Sequence, residues 1–421
     1  MARHTLADQC LTSLHREMED LSLAVGAVTR ALAGLAAGGD DIVEVSSIDQ
    51  NLLLGVVLAS WRCGAAASVS PRVDGTFATI QILTSGGTLS AQRLRSAPGL
   101  LLQKYDALYQ RTSGSTAESK LVVRTVQSLL VEWEGYVGGL SLSPESCVGV
   151  PLSVSHSFGM GIALAGLSSG SVVQVGSLMP VRRWASALDG RTFTHIACTP
   201  TVASLLSAVP GAAARTTATT MVVGAGQASE SLKSRIRERF ACDICLGYGS
   251  TETGGTFLGM EGLGDPIPGV TISEPQAGSM GELVLEFDYE IPGYPLERRT
   301  STSWRTGDLV QRDHSGVVRF QRRIVDLRVN GVTIGDAGFH DTLRKHFQGR
   351  FEVVVRMNEC KGYEVMHLFA EIPVDVSVVS AALVRQYGVS PMIHPIDALP
   401  LDNNGKLDRR RLESYADAGS Q

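Results

Sequence analysis

Apolar residues recur first at helical and then at strand spacing along the N-terminal part of the chain. The repeat from Leu11 to Ala37 predicts an amphipathic helix, and the apolar run Leu52–Arg62 predicts a buried one. Shorter apolar runs predict strands at 78–83, 147–150, 171–175, 195–197 and 220–223, and helices at 125–136, 184–188, 202–208 and 229–240. Strands that alternate with helices indicate an α/β domain with a largely parallel sheet.

The pattern changes after about residue 265, where short β runs such as Gly281–Phe287 replace the alternation. A compact tail follows Arg323, with helices predicted at 337–347 and 376–387, strands at 351–357 and 365–371, and a polar end. We therefore predict a large α/β domain at 1–322, with mostly parallel sheets and a small β subdomain. A small C-terminal α+β domain is predicted at 323–421.

Composition narrows the class of protein. With 421 residues, 44% of them hydrophobic, the chain can bury a large core divided over two or three domains. A net charge of -5 argues against nucleic-acid binding, which favours a basic surface. The first ten residues lack the apolar core of a signal peptide, and no run of about 18 apolar residues occurs. We expect a cytoplasmic protein without a membrane span.

The seven cysteines have no framework spacing. Cys242 and Cys245 form a lone CxxC, without the second pair or spaced histidines that a zinc site requires. We interpret these two residues as thiols packed in or near a core.

The segment Thr112–Lys120 carries the first candidate chemistry. Hydroxylated residues and Gly114 precede a single lysine, so a tight turn could direct backbone N–H groups, hydroxyls and an ammonium at a polyphosphate. The segment is not a GxxxxGK[ST] loop, because no glycine precedes Lys120 and no Ser or Thr follows it. Taken alone, it is also compatible with an ordinary surface loop.

Four further motifs follow in order: Tyr248–Glu252 after a predicted strand, Arg305–Asp308 beside a predicted turn, Arg322–Gly331 at the domain boundary, and Leu399–Arg409 near the end. Together with the first segment, this series resembles the adenylate-forming superfamily of acyl-CoA synthetases, peptide-synthetase adenylation domains and luciferases. The resemblance extends from about Leu52 to Leu412.

The resemblance implies a carboxylate-activating ligase with ATP and Mg²⁺ as cofactors. A carboxylic acid would attack ATP to give an acyl adenylate and pyrophosphate, and the acyl group would pass to coenzyme A, a pantetheinyl carrier protein or an amine. Both reacting groups are anionic, so cations and fixed dipoles must supply most of the catalysis. The small domain would act as a mobile lid.

The resemblance also assigns the nucleotide site. The phosphate loop would comprise Thr112, Ser113, Gly114, Ser115, Thr116 and Lys120, with Ala117 and Ser119 departing from the family pattern. Gly226 and Gln227 would line the adenine and acyl pocket, and Tyr248, Gly249 and Ser250 would lie along adenine. Thr251 would bind the α-phosphate and Glu252 would be the magnesium ligand.

Asp308 resembles the residue that holds the ribose hydroxyls, and Arg323 resembles the boundary arginine that contacts ribose or phosphate. Counting back from Gly331 favours Arg322 instead, because this segment is one residue short. The hinge position of the family then falls on Ile324 or Val325 rather than on a polar residue, with Asp326 as the nearest acid.

Lys406 resembles the C-terminal lysine that bridges the carboxylate and the α-phosphate, and His156 resembles the residue that closes the acyl pocket. A merely packed His156 is the alternative. No acid lies between Glu145 and Asp189 to pair with a substrate ammonium, so an aryl or short acyl acid is favoured over a free amino acid. A non-catalytic or adenylation-only relative that binds ATP or acyl adenylate is the alternative function.

Overall fold

The computed structural model of the protein describes residues 2–12, 18–70, 78–85, 88–94, 102, 106–112, 120–189, 193–210, 220–292, 294, 301–324, 327–329, 332–334, 336–347, 349–358, 363–401 and 407–418. By packing, these residues divide into two units. The first comprises the described residues up to 306 and 311–320, and the second comprises 307–310 and the described residues from 321 onward. The boundary predicted at 322/323 remains a prediction.

The first sheet has a parallel centre and antiparallel edges. Its strands are β1 (Ile42–Ser46), β2 (Ala66–Ser70), β3 (Ile80–Ser85), β4 (Thr88–Arg93), β5 (Asp106–Arg111) and β6 (Leu121–Thr125), in spatial order β4-β3-β1-β2-β5-β6. β1 pairs in parallel with β2 and β3, whereas β4 and β6 pair antiparallel with the strands before them. The helices of this region are α1 (Ala2–Leu11), α2 (Glu19–Ala33) and α3 (Gln50–Arg62).

The second sheet is built by strand–helix alternation. Its elements are α4 (Val126–Leu140), β7 (Cys147–Val150), α5 (Ser157–Ser168), β8 (Val172–Val175), α6 (Val181–Asp189), β9 (His195–Cys198), α7 (Pro200–Ala208), β10 (Thr220–Gly224), α8 (Glu230–Phe240), β11 (Asp243–Ser250), β12 (Gly254–Gly259) and β13 (Asp265–Pro266). The spatial order is β13-β12-β11-β10-β9-β7-β8, and the strands from β8 to β11 pair in parallel.

Helix starts in this region follow from capping residues. Thr125, Thr199 and Ser229 each accept a hydrogen bond from a backbone N–H of the first turn of α4, α7 and α8. These hydroxyls satisfy donors that a helix leaves unpaired. Each cap fixes the point at which the chain leaves the sheet and turns back across it.

A four-stranded sheet follows, made of β14 (Val270–Glu274), β15 (Met280–Ile291), β16 (Ser301–Arg312) and β17 (Val318–Arg323). The pair β14–β15 is antiparallel. This sheet confirms the predicted small β subdomain.

The Arg305–Asp308 motif lies inside β16, so its predicted place beside a turn is wrong. Gly307 takes φ +71 within that strand, which is a conformation that favours glycine.

The second unit continues with β18 (Leu327–Val329), β19 (Val332–Ile334), α9 (Asp336–His346), β20 (Phe351–Asn358), β21 (Tyr363–Glu371), α10 (Val376–Tyr387), β22 (Met392–Ile396) and α11 (Arg409–Ala418). β20 pairs antiparallel with β21, and β22 pairs parallel with it. Phe339, Leu343, Leu368 and Leu383 form part of its own buried core. The predicted α+β tail is confirmed, and the predicted polar end contains α11.

The other predicted helices and strands are confirmed with shifted bounds, apart from one. The continuous helix predicted from Leu11 is wrong, because α1 ends at Leu11 and α2 begins at Glu19. Cys242 directly precedes β11 (Asp243–Ser250), and Cys245 lies in this strand. Cys242 and Cys245 are 5% exposed each, and burial raises the pKa of each thiol to about 11. Among the described helices, none is long and apolar enough to cross a membrane.

A stacked histidine pair in the second unit predicts acid sensitivity. His367 Nδ1 lies 3.0 Å from His394 Nε2, and burial lowers the pKa of both rings. Because unfolded histidines bind protons below a pH of about 6.5, the free energy of unfolding should fall between pH 7 and 5. His394→Phe, which keeps a ring against Phe369, should flatten this dependence in denaturant titrations. His346→Gln, an exposed change, is the control; equal pH slopes in all three proteins would contradict the assignment.

Candidate functional site

The base of the predicted phosphate loop is a closed strand pair. β5 and β6 are antiparallel, and beyond their last pair Thr112 N donates to Lys120 O at 2.9 Å while Lys120 N donates to Thr112 Oγ1 at 3.0 Å. Ser113, Gly114, Ser115 and Thr116 lie outside the described residues. The strand pair therefore fixes both ends of the loop and places the Lys120 side chain at its exit.

Tyr294 contacts two charged residues that are far apart in sequence. The Lys120 ammonium lies 4.5 Å from the centroid of the Tyr294 ring, and the Tyr294 hydroxyl donates to Glu252 Oε1 at 3.0 Å. The half-buried Glu252 and the exposed Lys120 thus share one aromatic neighbour. The structure brings together the predicted phosphate lysine and the predicted magnesium ligand. Tyr294 was missed in the sequence, because no spacing links it to either motif.

A buried ion pair supports the turn that carries Glu252. Arg124, on β6, and Glu132, on α4, approach to 3.1 Å with side chains 1% and 2% exposed. Glu132 Oε1 also accepts a hydrogen bond from Gly255 N at 2.8 Å. Arg124 donates further to Ser128 Oγ and Ser128 O. β6, which follows the predicted phosphate loop, and the turn after β11 are therefore held by one polar network, which no sequence pattern indicates.

Glycines allow the turn to lie close to this network. A Cβ at Gly254, which has φ +74, would lie 2.5 Å from the Arg124 guanidinium nitrogens. A Cβ at Gly249 would lie 2.0 Å from Gly254 O. Ser250 Oγ and Thr253 Oγ1 lie 3.1 Å apart inside the turn. Tyr248, Gly249 and Ser250 belong to β11 itself, so the predicted position of the whole motif after a strand is wrong for these three residues.

The predicted pocket residues Gly226 and Gln227 follow the carboxyl end of β10, one of the parallel strands. Gly224 and Gly247 are register partners on β10 and β11, and a Cβ at Gly224 would lie 2.9 Å from Phe158 Cζ. Gly226 packs near Pro200, and Gln227 is exposed. In open α/β sheets, ligands bind in the crevice beyond the carboxyl ends of the strands. Phe158 was missed as a site residue, although it lies two positions after His156.

His156 precedes α5 and is half-buried. Its backbone N donates to Ser153 O, and the preceding residues are positioned by Gln50, whose Oε1 accepts from Val154 N at 2.8 Å. The imidazole makes no capping hydrogen bond to α5. The structure thus places His156 directly before α5, two positions before Phe158. Both the pocket role and the packed alternative stay open for this residue.

Tyr248 lies near the same edge as Phe158. Its ring meets Phe257 edge to face, with centroids 5.6 Å apart. The Tyr248 carbonyl accepts a hydrogen bond from Thr256 Oγ1 at 3.3 Å. Tyr248 is half-buried.

The second unit holds its own pair of predicted residues. Arg323 Nη1 donates to Asp308 Oδ1 at 2.8 Å, with the arginine side chain 63% and the aspartate side chain 8% exposed. Ile324 N donates to Gly307 O at 2.7 Å and holds β17 against this part of β16. The structure therefore brings together Asp308 and Arg323, the predicted ribose and phosphate residues. The side chain of Arg322, the alternative choice, lies outside the described residues.

Lys406 also lies outside the described residues. Its flanks are paired by a bridge between Leu401 and Leu407, and Asp408 N donates to Pro400 O at 2.8 Å. This pairing closes the base of the segment that carries the lysine. The predicted role of Lys406 remains a prediction.

Glu252 fits a magnesium ion that would take most of its ligands from waters and substrate phosphates. Within the described parts of the chain, no three His, Cys, Asp or Glu side chains are grouped to hold a metal ion. Mg²⁺ takes oxygen ligands, keeps several waters and often binds through one or two carboxylates plus substrate phosphates. Glu252 offers one half-buried carboxylate with an oriented oxygen, and this donor set suits such an ion.

Residues 100–291 match the family model described as AMP-binding enzyme. The chain is 29% identical over 212 residues to an anthranilate–CoA ligase of Pseudomonas aeruginosa, a match that covers 42% of this chain and 40% of that protein. It is 24% identical over 349 residues to the fatty acid–[acyl-carrier-protein] ligase ScoC of Streptomyces coeruleorubidus, covering 72% and 66%. The chain thus spans less than two thirds of either relative.

Two solved structures share the fold over nearly the whole chain. ATP-bound MatB from Rhodopseudomonas palustris has a TM-score of 0.68 at 16% identity, covering 94% of this chain and 93% of that one. The amide bond synthetase McbA from Marinactinospora thermotolerans also has a TM-score of 0.68 at 16% identity, covering 98% and 99%. At this identity the likeness concerns the fold, and it confirms the fold class predicted from the sequence.

The ion pair predicts a non-additive pattern of stability. Glu132→Gln keeps an acceptor for Gly255 N but leaves Arg124 charged and buried, so it should cost about 3–5 kcal/mol of unfolding free energy. The double variant Arg124→Met with Glu132→Gln removes the unpaired charge and should recover much of that loss. Chemical denaturation measures both. A double variant at least as unstable as the single one would contradict this account.

Proposed function

We propose that this chain, which has the AMP-binding enzyme domain and the fold of the adenylate-forming superfamily, is an ATP-dependent carboxylate ligase. It converts a carboxylic acid and ATP to an acyl adenylate and pyrophosphate. The acyl group then passes to a thiol or an amine. The observation that carries the proposal is the meeting of Lys120 and Glu252 at Tyr294.

This meeting places a cation and a carboxylate together where the phosphate loop ends. Lys120 stabilises the β- and γ-phosphates as a point charge, and Thr112 and the loop hydroxyls donate hydrogen bonds. Glu252 holds Mg²⁺, which would neutralise phosphate charge and orient the triphosphate. Thr251 binds the α-phosphate beside it. A relative that only binds ATP would not need Lys120, Glu252, Asp308 and Lys406 together.

The remainder of the nucleotide is bound by groups of two kinds. Tyr248, Gly249, Ser250, Gly226 and Gln227 line the adenine side, since they lie at the carboxyl ends of β10 and β11. Asp308 accepts hydrogen bonds from the ribose hydroxyls with its two oxygens, and Arg323 adds a positive charge beside it. Residues 323–421 act as the mobile small domain.

The acid is aryl or short acyl. Phe158 lies beside Gly224 and Gly247, and the sequence has no acid between Glu145 and Asp189, the stretch with His156, to pair an α-ammonium. The anthranilate–CoA ligase among the relatives supports an aryl acid. Coenzyme A, a carrier protein and an amine are the acceptor classes suggested by the names of the relatives and of the amide bond synthetase.

Lys406 provides the mutational test of the first step. Because it would bridge the acid carboxylate and the α-phosphate, Lys406→Ala should remove about 2–4 kcal/mol of transition-state stabilisation. Acid-dependent exchange of labelled pyrophosphate into ATP measures this loss. Lys345→Ala, an exposed lysine of α9 in the second unit, is the matched control and should exchange like the wild type. Unchanged exchange in Lys406→Ala would refute the role.

The acceptor is tested by products. Aryl and short aliphatic acids that support exchange should yield a thioester with coenzyme A or a carrier protein, or an amide with an amine, as read by mass spectrometry. Free α-amino acids should support little exchange. Binding of ATP without exchange for any acid in the panel would favour the non-catalytic relative, the alternative left open by Ala117 and by the apolar hinge position.

A further inference from the structure

We propose that Tyr294 is a positioning residue that orients Glu252 through its hydroxyl and Lys120 through its ring, so that both charges are in place before Mg²⁺ and ATP bind. The proposal rests on the proposed function, since it assigns a task to a residue of the same site. It concerns a side chain outside all five sequence motifs.

The hydroxyl contact acts on one oxygen of the carboxylate. Tyr294 donates to Glu252 Oε1 at 3.0 Å, which leaves Oε2 to face a metal ion. A glutamate side chain loses rotamer entropy when it is fixed, so a carboxylate that is already fixed binds a cation more tightly. The hydroxyl therefore affects the affinity of the site for Mg²⁺.

The ring contact acts on the lysine. Lys120 is exposed, and its ammonium lies 4.5 Å from the ring centroid, within the range of a cation–π interaction. The long side chain is thereby held on the Glu252 side of the loop base. A hydroxyl that donates to a carboxylate also makes its ring more electron-rich, so the two contacts reinforce each other. The ring affects nucleotide binding even without metal.

Two substitutions separate these effects. Tyr294→Phe keeps the ring and removes the hydroxyl, whereas Tyr294→Leu removes both. Tyr415→Phe, which removes a partly exposed hydroxyl that accepts from Arg411 in the second unit, is the matched control. ATP binding is measured by calorimetry with and without Mg²⁺, so the readout needs neither an acid nor an acceptor.

In Tyr294→Phe, the gain in ATP affinity on adding Mg²⁺ should shrink about threefold to tenfold, with metal-free affinity unchanged. Tyr294→Leu should also lower metal-free affinity, by about twofold to fivefold. Adding Tyr294→Phe to Glu252→Gln should cost little more, because the hydroxyl then has no carboxylate to orient. Tyr415→Phe should match the wild type, and thermal unfolding should show all variants folded.

Three results would contradict the positioning role of Tyr294. These are wild-type magnesium dependence in Tyr294→Phe, tighter magnesium-dependent binding in that variant, or a full additional loss in the double variant. Such results leave the ligase proposal intact if wild-type protein exchanges pyrophosphate. Conversely, wild-type protein that binds MgATP but never exchanges pyrophosphate would refute the ligase proposal. The calorimetric comparison of the variants would then still test the positioning role of Tyr294. No ATP binding at all would end both.

Discussion

The buried ion pair between Arg124 and Glu132 is the constraint on which the rest of the site depends. Two charges with side chains at most 2% exposed must satisfy each other, because an unpaired charge in a protein interior is very costly. The pair requires β6 and α4 to keep a fixed geometry. Because the second oxygen of Glu132 accepts from Gly255 N, the same requirement extends to the turn that carries Glu252. The base of the predicted phosphate loop and the turn that carries Glu252 therefore share one support.

Parallel strand order explains why the remaining groups gather. Strands β7, β9, β10 and β11 point the same way, so the loops that follow them leave the sheet at one edge. Close backbone approach at this edge is possible because Gly224 and Gly249 lack side chains that would collide with Phe158 and Gly254. The residues predicted for the adenine and acyl sides are thus brought to one edge by topology, although they are widely separated in the chain.

Much of this arrangement could be predicted from the sequence. Helical and strand spacing located α3, β3, α4 and most elements from β7 to α8, because apolar periodicity reports directly on the buried face. It did not find α5, β2 or the strands β4–β6. The ordered motifs identified Lys120, Glu252, Asp308 and Arg323, and the structure brings them together in two pairs. Spacing failed where a contact is tertiary. Tyr294 and the Arg124–Glu132 pair lie in no motif, and the Arg305–Asp308 stretch resembles a turn although Gly307 accommodates its positive φ inside a strand.

The pairs Lys120–Glu252 and Asp308–Arg323 bear on function as well as on position. Glu252 is half-buried, and Asp308 has a side chain only 8% exposed, so both carboxylates lose hydration on folding. Tyr294 donates a hydrogen bond to Glu252 and also contacts the Lys120 ammonium. Arg323, itself a cation, donates a hydrogen bond to Asp308. Structure alone does not require partly buried acids beside cations, because apolar residues can fill such positions at equal or better stability. Ligand binding, as in the proposed function, gives each pair a reason to exist within its own unit, since a partly buried acid beside a cation adds little to stability alone.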